Sequence, residues 1–237
     1  MLTGSVSANA AESCAQAAIA IDVGHTVKSW GATSARGVGE FTYNQALAQE
    51  LASALNAADF THLLLINTDG QIGSLKQRTA IANEGNAALF LSLHHDSAQE
   101  QYLKTWNVDG VERSYSDDFS GFSLFISPLN PRYADSLALA TQIGTALINK
   151  GFTPTLHHGE DIPGERKVIV DRKRGIYHYD NLVVLKTAAM PAVLIEAGVI
   201  INRDEEAAIA RSPDYHFLVS EAIAAGVEAY CATISLK

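Results

Sequence analysis

Short runs of apolar residues recur along the chain and alternate with longer segments of helical period. Continuous apolar runs of this length are typical of strands that are buried on both faces of a parallel sheet. Strands are therefore predicted at residues 17–22, 62–67, 88–93, 122–127, 182–186 and 192–196. The alternation predicts an α/β fold, a three-layer α/β/α arrangement around a mostly parallel, twisted sheet of about six strands.

Helical periodicity fills most of the intervals between these runs. In the first interval Leu47, Leu51 and Leu55 recur every four residues among alanines, which favour helix. The polar segments 97–121 and 152–181 show neither a helical period nor a strand-like apolar run. We predict long irregular loops there with binding or lid roles. Helices are predicted at about 41–58, 74–84 and 132–149, and from Ser212-Pro213-Asp214 onward.

Composition and charge limit the size and partners of the protein. The chain has 237 residues, of which 47% are apolar, and it can bury one large core. We predict a flexible leader or signal remnant at 1–13 and a single domain at 14–237. The net charge of −9 makes nucleic acid and anionic membranes poor partners. The apolar runs fall short of the roughly 20 residues of a membrane span.

The two cysteines, Cys14 and Cys231, lie near opposite ends of the chain. Because chain termini often lie close together in a domain, a disulfide between them is predicted. Two free, buried thiols are the alternative. A disulfide requires an oxidising compartment, so this pair favours a periplasmic or secreted protein.

Four residues suited to metal chemistry lie at predicted strand or helix ends. His25 follows the run Ile19-Ala20-Ile21-Asp22-Val23-Gly24, Glu40 precedes the first helix, and His94 and Glu196 follow two later runs. In parallel α/β sheets the carboxyl ends of the strands share one edge, where ligands bind. His25, Glu40 and His94 suit one catalytic Zn²⁺, with Glu196 as the base. Taken alone, Glu40 has the alternative role of a favourable charge at a helix N-terminus.

The sequence motifs around these residues resemble those of the zinc-dependent N-acetylmuramoyl-L-alanine amidases, a peptidoglycan-cleaving family that includes the cell-separation amidases. The similarity extends from Ile19 to about Tyr230. Its most specific part is a Met-Pro-x-Val-Leu-x-Glu-x-Gly word, here Met190 to Gly198, in which the Glu is catalytic. The other matching words are Ile21-Asp22-Val23-Gly24-His25, the segment Leu75 to Asn83 with Arg78, and Leu91-Ser92-Leu93-His94.

This resemblance implies an enzyme that cleaves the amide between the lactyl group of N-acetylmuramic acid and L-alanine. The substrate would be peptidoglycan or released muropeptides, and the location periplasmic or secreted in a bacterium. One zinc ion would be held by His25, Glu40 and His94, with Glu196 as base and then acid. A regulatory protein partner is left open.

Two short segments depart from the family pattern. Thr26-Val27 follows the first ligand, where the family usually has Gly, and His95-Asp96 follows the third, where it usually has Ala-Asn. Because side chains alternate along a strand, we expect His95 to point away from the metal, or else to line the cleft.

The segment 152–181 carries three further candidates for substrate binding. We expect His158 and Glu160 at a flap over the cleft and Arg174 near the carboxylates of a stem peptide. A merely solvated polar loop is the alternative for all three.

Two other functions stay open. The sequence His157-His158-Gly159-Glu160 is similar to the ligand pair of zinc carboxypeptidases, so a stem-peptide peptidase would need His157 and Glu160 at the metal. A non-catalytic peptidoglycan-binding or regulatory module would be marked by a lost ligand or a lost catalytic Glu. This sequence keeps all three candidate ligands and the candidate catalytic Glu196.

Overall fold

The computed structural model describes residues 16–234, which form a seven-stranded sheet between helical layers and a separate two-stranded hairpin. This confirms the predicted three-layer α/β/α architecture. The strands are β1 Ile19–Val23, β2 Leu63–Ile66, β3 Leu89–Asp96, β4 Lys104–Val108, β5 Val111–Tyr115, β6 Ser123–Ile126, β7 Ile169–Asp171, β8 Ile176–His178 and β9 Ala192–Val199. The helices are α1 Glu40–Ala57, α2 Leu75–Glu84, α3 Tyr133–Asn149, α4 Val183–Thr187, α5 Arg203–Arg211 and α6 Pro213–Ile234.

The strand order across the large sheet is β2-β1-β3-β9-β6-β8-β7. The pairs β1/β2, β1/β3, β3/β9 and β6/β8 are parallel, whereas β6/β9 and β7/β8 are antiparallel. The carboxyl ends of β1, β3 and β9 therefore lie side by side at one edge of the sheet, where open α/β sheets bind their ligands.

The central strands distribute their side chains between two apolar layers. Ile21 and Leu91 pack into the layer that contains α1, α3 and α6, while Ala20 and Phe90 pack into the layer with α2 and α4. All four are buried. Because both faces of the sheet are covered, these strands have continuous apolar sequences, which is why the pattern predicted them.

The helices predicted at 41–58, 74–84 and 132–149 agree with α1, α2 and α3 to within two residues. At the start of α2 the Ser74 hydroxyl accepts a hydrogen bond from the Gln77 amide. Helix α5 was not predicted. Its N-cap is Asn202, whose side chain accepts hydrogen bonds from the amides of Asp204 and Glu205.

The strand predicted at 182–186 is wrong, because this run forms the short helix α4. Val184 and Leu185 are buried, whereas the preceding and following residues are only partly so. A short apolar run that is buried on one side does not reveal by periodicity whether it is strand or helix.

The segments 97–121 and 152–181 are not wholly irregular, since they contain the β4–β5 hairpin and the strands β7 and β8. Asp109 and Gly110, which connect β4 to β5, both have positive φ. An Asp-Gly pair between two strand-like runs is a strong hairpin signal that the apolar pattern alone does not register. All four of these strands are short, and β4 and β5 are mostly exposed.

Within the described residues one helix, over Asp214–Ile234, is long and apolar enough by composition to cross a membrane. This corrects the expectation that no apolar segment reaches such a length. Half of that segment is buried in the fold, and Val219, Ile223 and Val227 pack into the layer with α1 and α3. Core packing therefore accounts for its apolar composition.

Residues 1–13, predicted as a leader, and Cys14 lie outside the described residues. The division into a leader and one domain at 14–237 stays a prediction, and so does the disulfide between Cys14 and Cys231. Cys231 itself lies near the end of α6 and is 4% exposed.

Candidate metal centre and active site

The turn that follows β1 presents His25 at the ligand edge of the sheet. His25 has a φ of +66°, a left-handed conformation that is uncommon for residues other than glycine. The Asn67 amide donates hydrogen bonds of 2.7 Å to the carbonyl oxygens of both Val23 and His25. The buried Arg78 guanidinium donates to the same two oxygens. Asn67 and Arg78 therefore hold the backbone of the first candidate ligand.

Glu40 is the first residue of α1, and both of its carboxylate oxygens are fixed. Oε2 accepts a hydrogen bond of 2.9 Å from the Ala32 amide. Oε1 accepts from the Asn44 side chain, one helical turn later, at 3.0 Å and from the His95 amide at 3.2 Å. The residue is only 3% exposed, so these donors take the place of solvent.

His94 lies in β3 with its ring against Gly24. A Cβ on Gly24 would lie 2.4 Å from His94 Nε2, so glycine is needed to leave room for the imidazole. His94 Nδ1 lies 2.9 Å from Glu40 Oε1, and His25 Nε2 lies 3.0 Å from Glu40 Oε2. The structure thus brings His25, Glu40 and His94 together, with one donor atom of each within 4.8 Å of the others. We call these three residues the first cluster.

The electrostatics of the first cluster favour an ionised carboxylate. Burial alone would raise the pKa of Glu40. The hydrogen bonds and charges of His25 and His94 outweigh it, however, and hold that pKa well below its usual range. One carboxylate and two imidazoles are a donor set that divalent zinc prefers.

Glu196 lies on β9 directly beside His94 on β3 in the parallel register. Its Oε2 atom is buried and has no hydrogen-bond partner among the described residues. Burial, with the charges of Asp96 and Glu40, raises the pKa of Glu196 well above its usual range. A carboxyl group with a raised pKa beside a metal-type cluster is suited to moving protons.

The side chains of His95 and Arg174 do not join the first cluster. His95 is 1% exposed, its Nδ1 lies 2.8 Å from Asn44 Oδ1, and burial lowers its pKa to about 3. Its direction follows from alternation along β3. Arg174 pairs with Asp171 and donates to the Thr145 hydroxyl on α3, which holds it away from the first cluster.

The predicted flap residues His158 and Glu160 have different surroundings. Glu160 accepts a hydrogen bond of 2.8 Å from the Tyr102 hydroxyl. His158 and His157 instead approach Asp96, and these three residues form a second metal-type group. The peptidase alternative requires Glu160 together with His157 at one metal, and the structure does not pair them.

Sequence reasoning did not identify Asp96, Asn44 or Asn67 as parts of this region. The spacing of Asp96 from His94 could have indicated it. Asp96 lies two residues after His94 in β3, an interval that places side chains on the same face of a strand. Spacing could also have indicated Asn44, since it lies one helical turn after Glu40. Asn67 follows a short strand and carries no pattern that marks its role.

The features at this edge of the mostly parallel sheet define a class of protein. They are two histidines, the ionised Glu40 at the start of α1, and Glu196, whose buried Oε2 has no hydrogen-bond partner among the described residues. These features are those of an α/β metallohydrolase, in which three side chains hold the ion and a carboxyl group assists the attack of water.

Comparison with known proteins identifies the family. Residues 19–229 match the family model described as N-acetylmuramoyl-L-alanine amidase. The chain is 26% identical over 206 residues to the probable N-acetylmuramoyl-L-alanine amidase AmiB of Haemophilus influenzae, an alignment that covers 79% of this chain and 46% of that protein. The chain therefore belongs to the N-acetylmuramoyl-L-alanine amidase family, and it spans about half the length of the Haemophilus relative.

Solved structures of two amidases have the same fold as this chain. The catalytic domain of the amidase CwlV from Bacillus (Paenibacillus) polymyxa superposes with a TM-score of 0.68 at 26% identity, covering 91% of this chain and 98% of that one. The amidase Ami1 of Mycobacterium smegmatis superposes with a TM-score of 0.70 at 18% identity, covering 92% and 97%. The match to the family confirms the amidase class predicted from the sequence and favours it over the peptidase and the binding module.

Proposed function

We propose that the protein is a zinc-dependent hydrolase that cleaves the amide bond between the lactyl group of N-acetylmuramic acid and L-alanine in peptidoglycan. His25, Glu40 and His94 hold the zinc, and Glu196 is the catalytic carboxyl group. The observation that carries this proposal is the buried Glu196 Oε2, which has no partner among the described residues and lies on the strand beside His94.

The donor atoms of the first cluster suit zinc. A catalytic zinc site uses about three nitrogen or oxygen ligands from the protein and keeps one position open. His25 offers Nε2, His94 offers Nδ1, and Glu40 offers carboxylate oxygens about 3 Å from both nitrogens. When bound, zinc would polarise the scissile carbonyl and lower the pKa of a water molecule.

Glu196 moves the proton that the reaction requires. Its carboxylate accepts a proton from the attacking water and then delivers it to the nitrogen of the departing L-alanine, because an amine leaves readily only when protonated. Burial is the largest cause of its raised pKa, with Asp96 and Glu40 adding to it. A carboxyl group with a raised pKa suits a step in which it must both accept and release a proton.

The substrate binds in a cleft of about 330 Å³ that is lined by His25 and His94. Leu75 and Leu182 contribute apolar walls, and the buried Arg78 contributes polar atoms. An apolar cleft with few polar groups is typical of small-molecule sites, and its volume suits one sugar or the first residues of a stem peptide.

Peptidoglycan lies outside the bacterial cytoplasm, so the proposed activity places the protein in the periplasm or outside the cell. A disulfide between Cys14 and Cys231 would suit that oxidising environment. A regulatory protein partner is compatible with this function, and its identity is open.

The experiment that tests the function is digestion of purified peptidoglycan by the zinc-loaded protein, with and without a chelator, followed by mass spectrometry. We expect chelator-sensitive release of stem peptides with a free N-terminal L-alanine, which leaves glycan with intact lactyl groups. Cleavage within the peptides would contradict the amidase and support the peptidase. No cleavage by folded, zinc-loaded protein would contradict hydrolase activity and support a binding module.

A further inference from the structure

A second group of metal-type side chains lies outside the first cluster. Asp96 ends β3, whereas His157 and His158 lie in a 3₁₀ turn, His157–Gly159, in the segment between α3 and β7. Asp96 Oδ2 lies 3.2 Å from His157 Nε2 and 2.7 Å from His158 Nε2. We call Asp96, His157 and His158 the second cluster.

The other ring nitrogen of each histidine is already engaged. His157 Nδ1 lies 2.8 Å from the Thr155 hydroxyl oxygen, and His158 Nδ1 lies 2.9 Å from Glu165 Oε2. Histidines that bind metals almost always have their second ring nitrogen bonded to a carboxylate, carbonyl or water that orients the ring. His158 has such a carboxylate in Glu165, and for His157 the Thr155 hydroxyl orients the ring. Both Nε2 atoms are thereby directed to one point beside Asp96.

His157 supplies an independent observation. Its side chain is 2% exposed, and its Nε2 makes no hydrogen bond among the described residues, because the 3.2 Å approach to Asp96 lacks hydrogen-bond geometry. The Phe119 ring stacks on the imidazole with centroids 4.6 Å apart and restrains its plane. A buried polar nitrogen without a partner is unfavourable unless some other group satisfies it.

We propose that the second cluster is a binding site for a divalent transition-metal ion, with both Nε2 atoms and an Asp96 oxygen as ligands. Two imidazoles and one carboxylate suit ions of borderline softness such as Zn²⁺. The site shares no ligand with the first cluster, and the inference does not depend on the amidase proposal. Such an ion would link the segment between α3 and β7 to the strand that carries His94.

A metal-free arrangement must be separated from this one by experiment. In it, a protonated His158 lies between Asp96 and Glu165 as an ion-pair chain, consistent with the 2.7 Å and 2.9 Å contacts. That chain leaves His157 Nε2 without a partner, whereas a metal ion satisfies all three donor groups. The structure therefore favours the metal.

The test is the zinc content of the full, tag-free chain after equilibrium dialysis against buffered Zn²⁺, measured by mass spectrometry of the metal. We expect two zinc ions per chain in the wild type and one in each of His157→Ala, His158→Ala and His94→Ala. His62→Ala is the matched control, since His62 is exposed and belongs to neither cluster, and it should keep two. If His157→Ala does not fold, Asp96→Asn replaces it, because this change preserves side-chain size and removes the charge.

The outcomes distinguish this inference from the proposed function. A single ion that is retained in His158→Ala and lost in His94→Ala would overturn the second site and leave the amidase proposal standing. An ion lost in His158→Ala, with none lost in His94→Ala, would support the second site and overturn the proposed catalytic ligands. A folded wild type that binds no zinc would overturn both.

Discussion

Each cluster has one member on β3, and these two residues, His94 and Asp96, are only two positions apart, yet the clusters are built in different ways. The first cluster takes its three side chains from the turn that follows β1, from β3 and from the start of α1, and these three elements are neighbours in the core. The second cluster has only Asp96 in the sheet, and its two histidines come from a segment that follows α3. One site is part of the framework, and the other joins a loop to it.

The two sets of ligands are held in position by different kinds of contact. Backbone and buried amide donors fix the first cluster, as in the hydrogen bonds from Ala32 and Asn44 to Glu40. The histidines of the second cluster are oriented by the side chains of Thr155 and Glu165 on the same segment. We therefore expect the first cluster to be preorganised, whereas the second depends on the order of its own loop.

The largest loss of zinc binding and activity is expected from His94→Ala. It removes one of three proposed ligands, so zinc should be lost from this site and amide hydrolysis should fall by more than about a thousand-fold, as several kcal/mol of transition-state stabilisation disappear. Metal analysis and peptidoglycan digestion measure the two effects. Full turnover by the variant would contradict the assignment, and His62→Ala should behave as the wild type.

Glu196→Gln should separate chemistry from metal binding. The amide keeps the size of the side chain and cannot accept the proton from water, so the rate should fall by about 10²–10⁴-fold. Zinc content should be unchanged, because Glu196 is not one of the proposed ligands. Glu228→Gln, at an exposed position on α6, is the matched control and should retain activity. A variant with normal turnover would show that another group moves the proton.

The sequence predicted the first cluster because its positions depend on the sheet. β1, β3 and β9 are buried on both faces, so their apolar runs reveal the buried core of each strand, although β3 and β9 continue beyond the predicted runs to Asp96 and Val199. His25, His94 and Glu196 were found because they lie at or just after the last residues of these apolar runs. Their arrangement in space required only the rule that parallel strands share a ligand edge.

The second cluster was not predictable in the same way. His157 and His158 stood out in the sequence, but their approach to Asp96 depends on a 3₁₀ turn and on contacts from Thr155 and Glu165. No period in the sequence encodes those contacts. The error at 182–186 has a related cause, since a short apolar run becomes strand or helix according to which elements cover it.

Gly24→Ala tests whether the framework positions His94. The added Cβ would lie 2.4 Å from His94 Nε2, so the ring must move, and we expect zinc affinity to fall by about 10–100-fold, as for the loss of a supporting contact. A competition titration with a chromogenic chelator measures the affinity. Gly73→Ala is the matched control, because nothing lies within 4 Å of a Cβ there. Equal affinities for the two variants would contradict a positioning role for Gly24.

A smaller effect is expected from the second cluster in metal-free protein. Burial alone would lower the pKa of His158. Asp96 and Glu165 outweigh it and raise that pKa to about 9, against an ordinary value near 6.5. Because the folded pKa is raised, the stabilisation is fully present below about pH 6.5 and is lost as the pH rises through 9. Its size is about 3 kcal/mol at most.

Urea unfolding of the chelator-treated protein at several pH values between 6 and 9.5 measures this contribution. The free energy of unfolding of the wild type should decrease across that range, and His158→Gln should remove most of the decrease while being less stable at pH 6. His62→Gln should keep the wild-type slope. Saturating zinc should flatten the wild-type slope, since a metal-bound imidazole carries no extra proton to lose. An identical slope with and without zinc would show that the loop contacts Asp96 only through the ion pair.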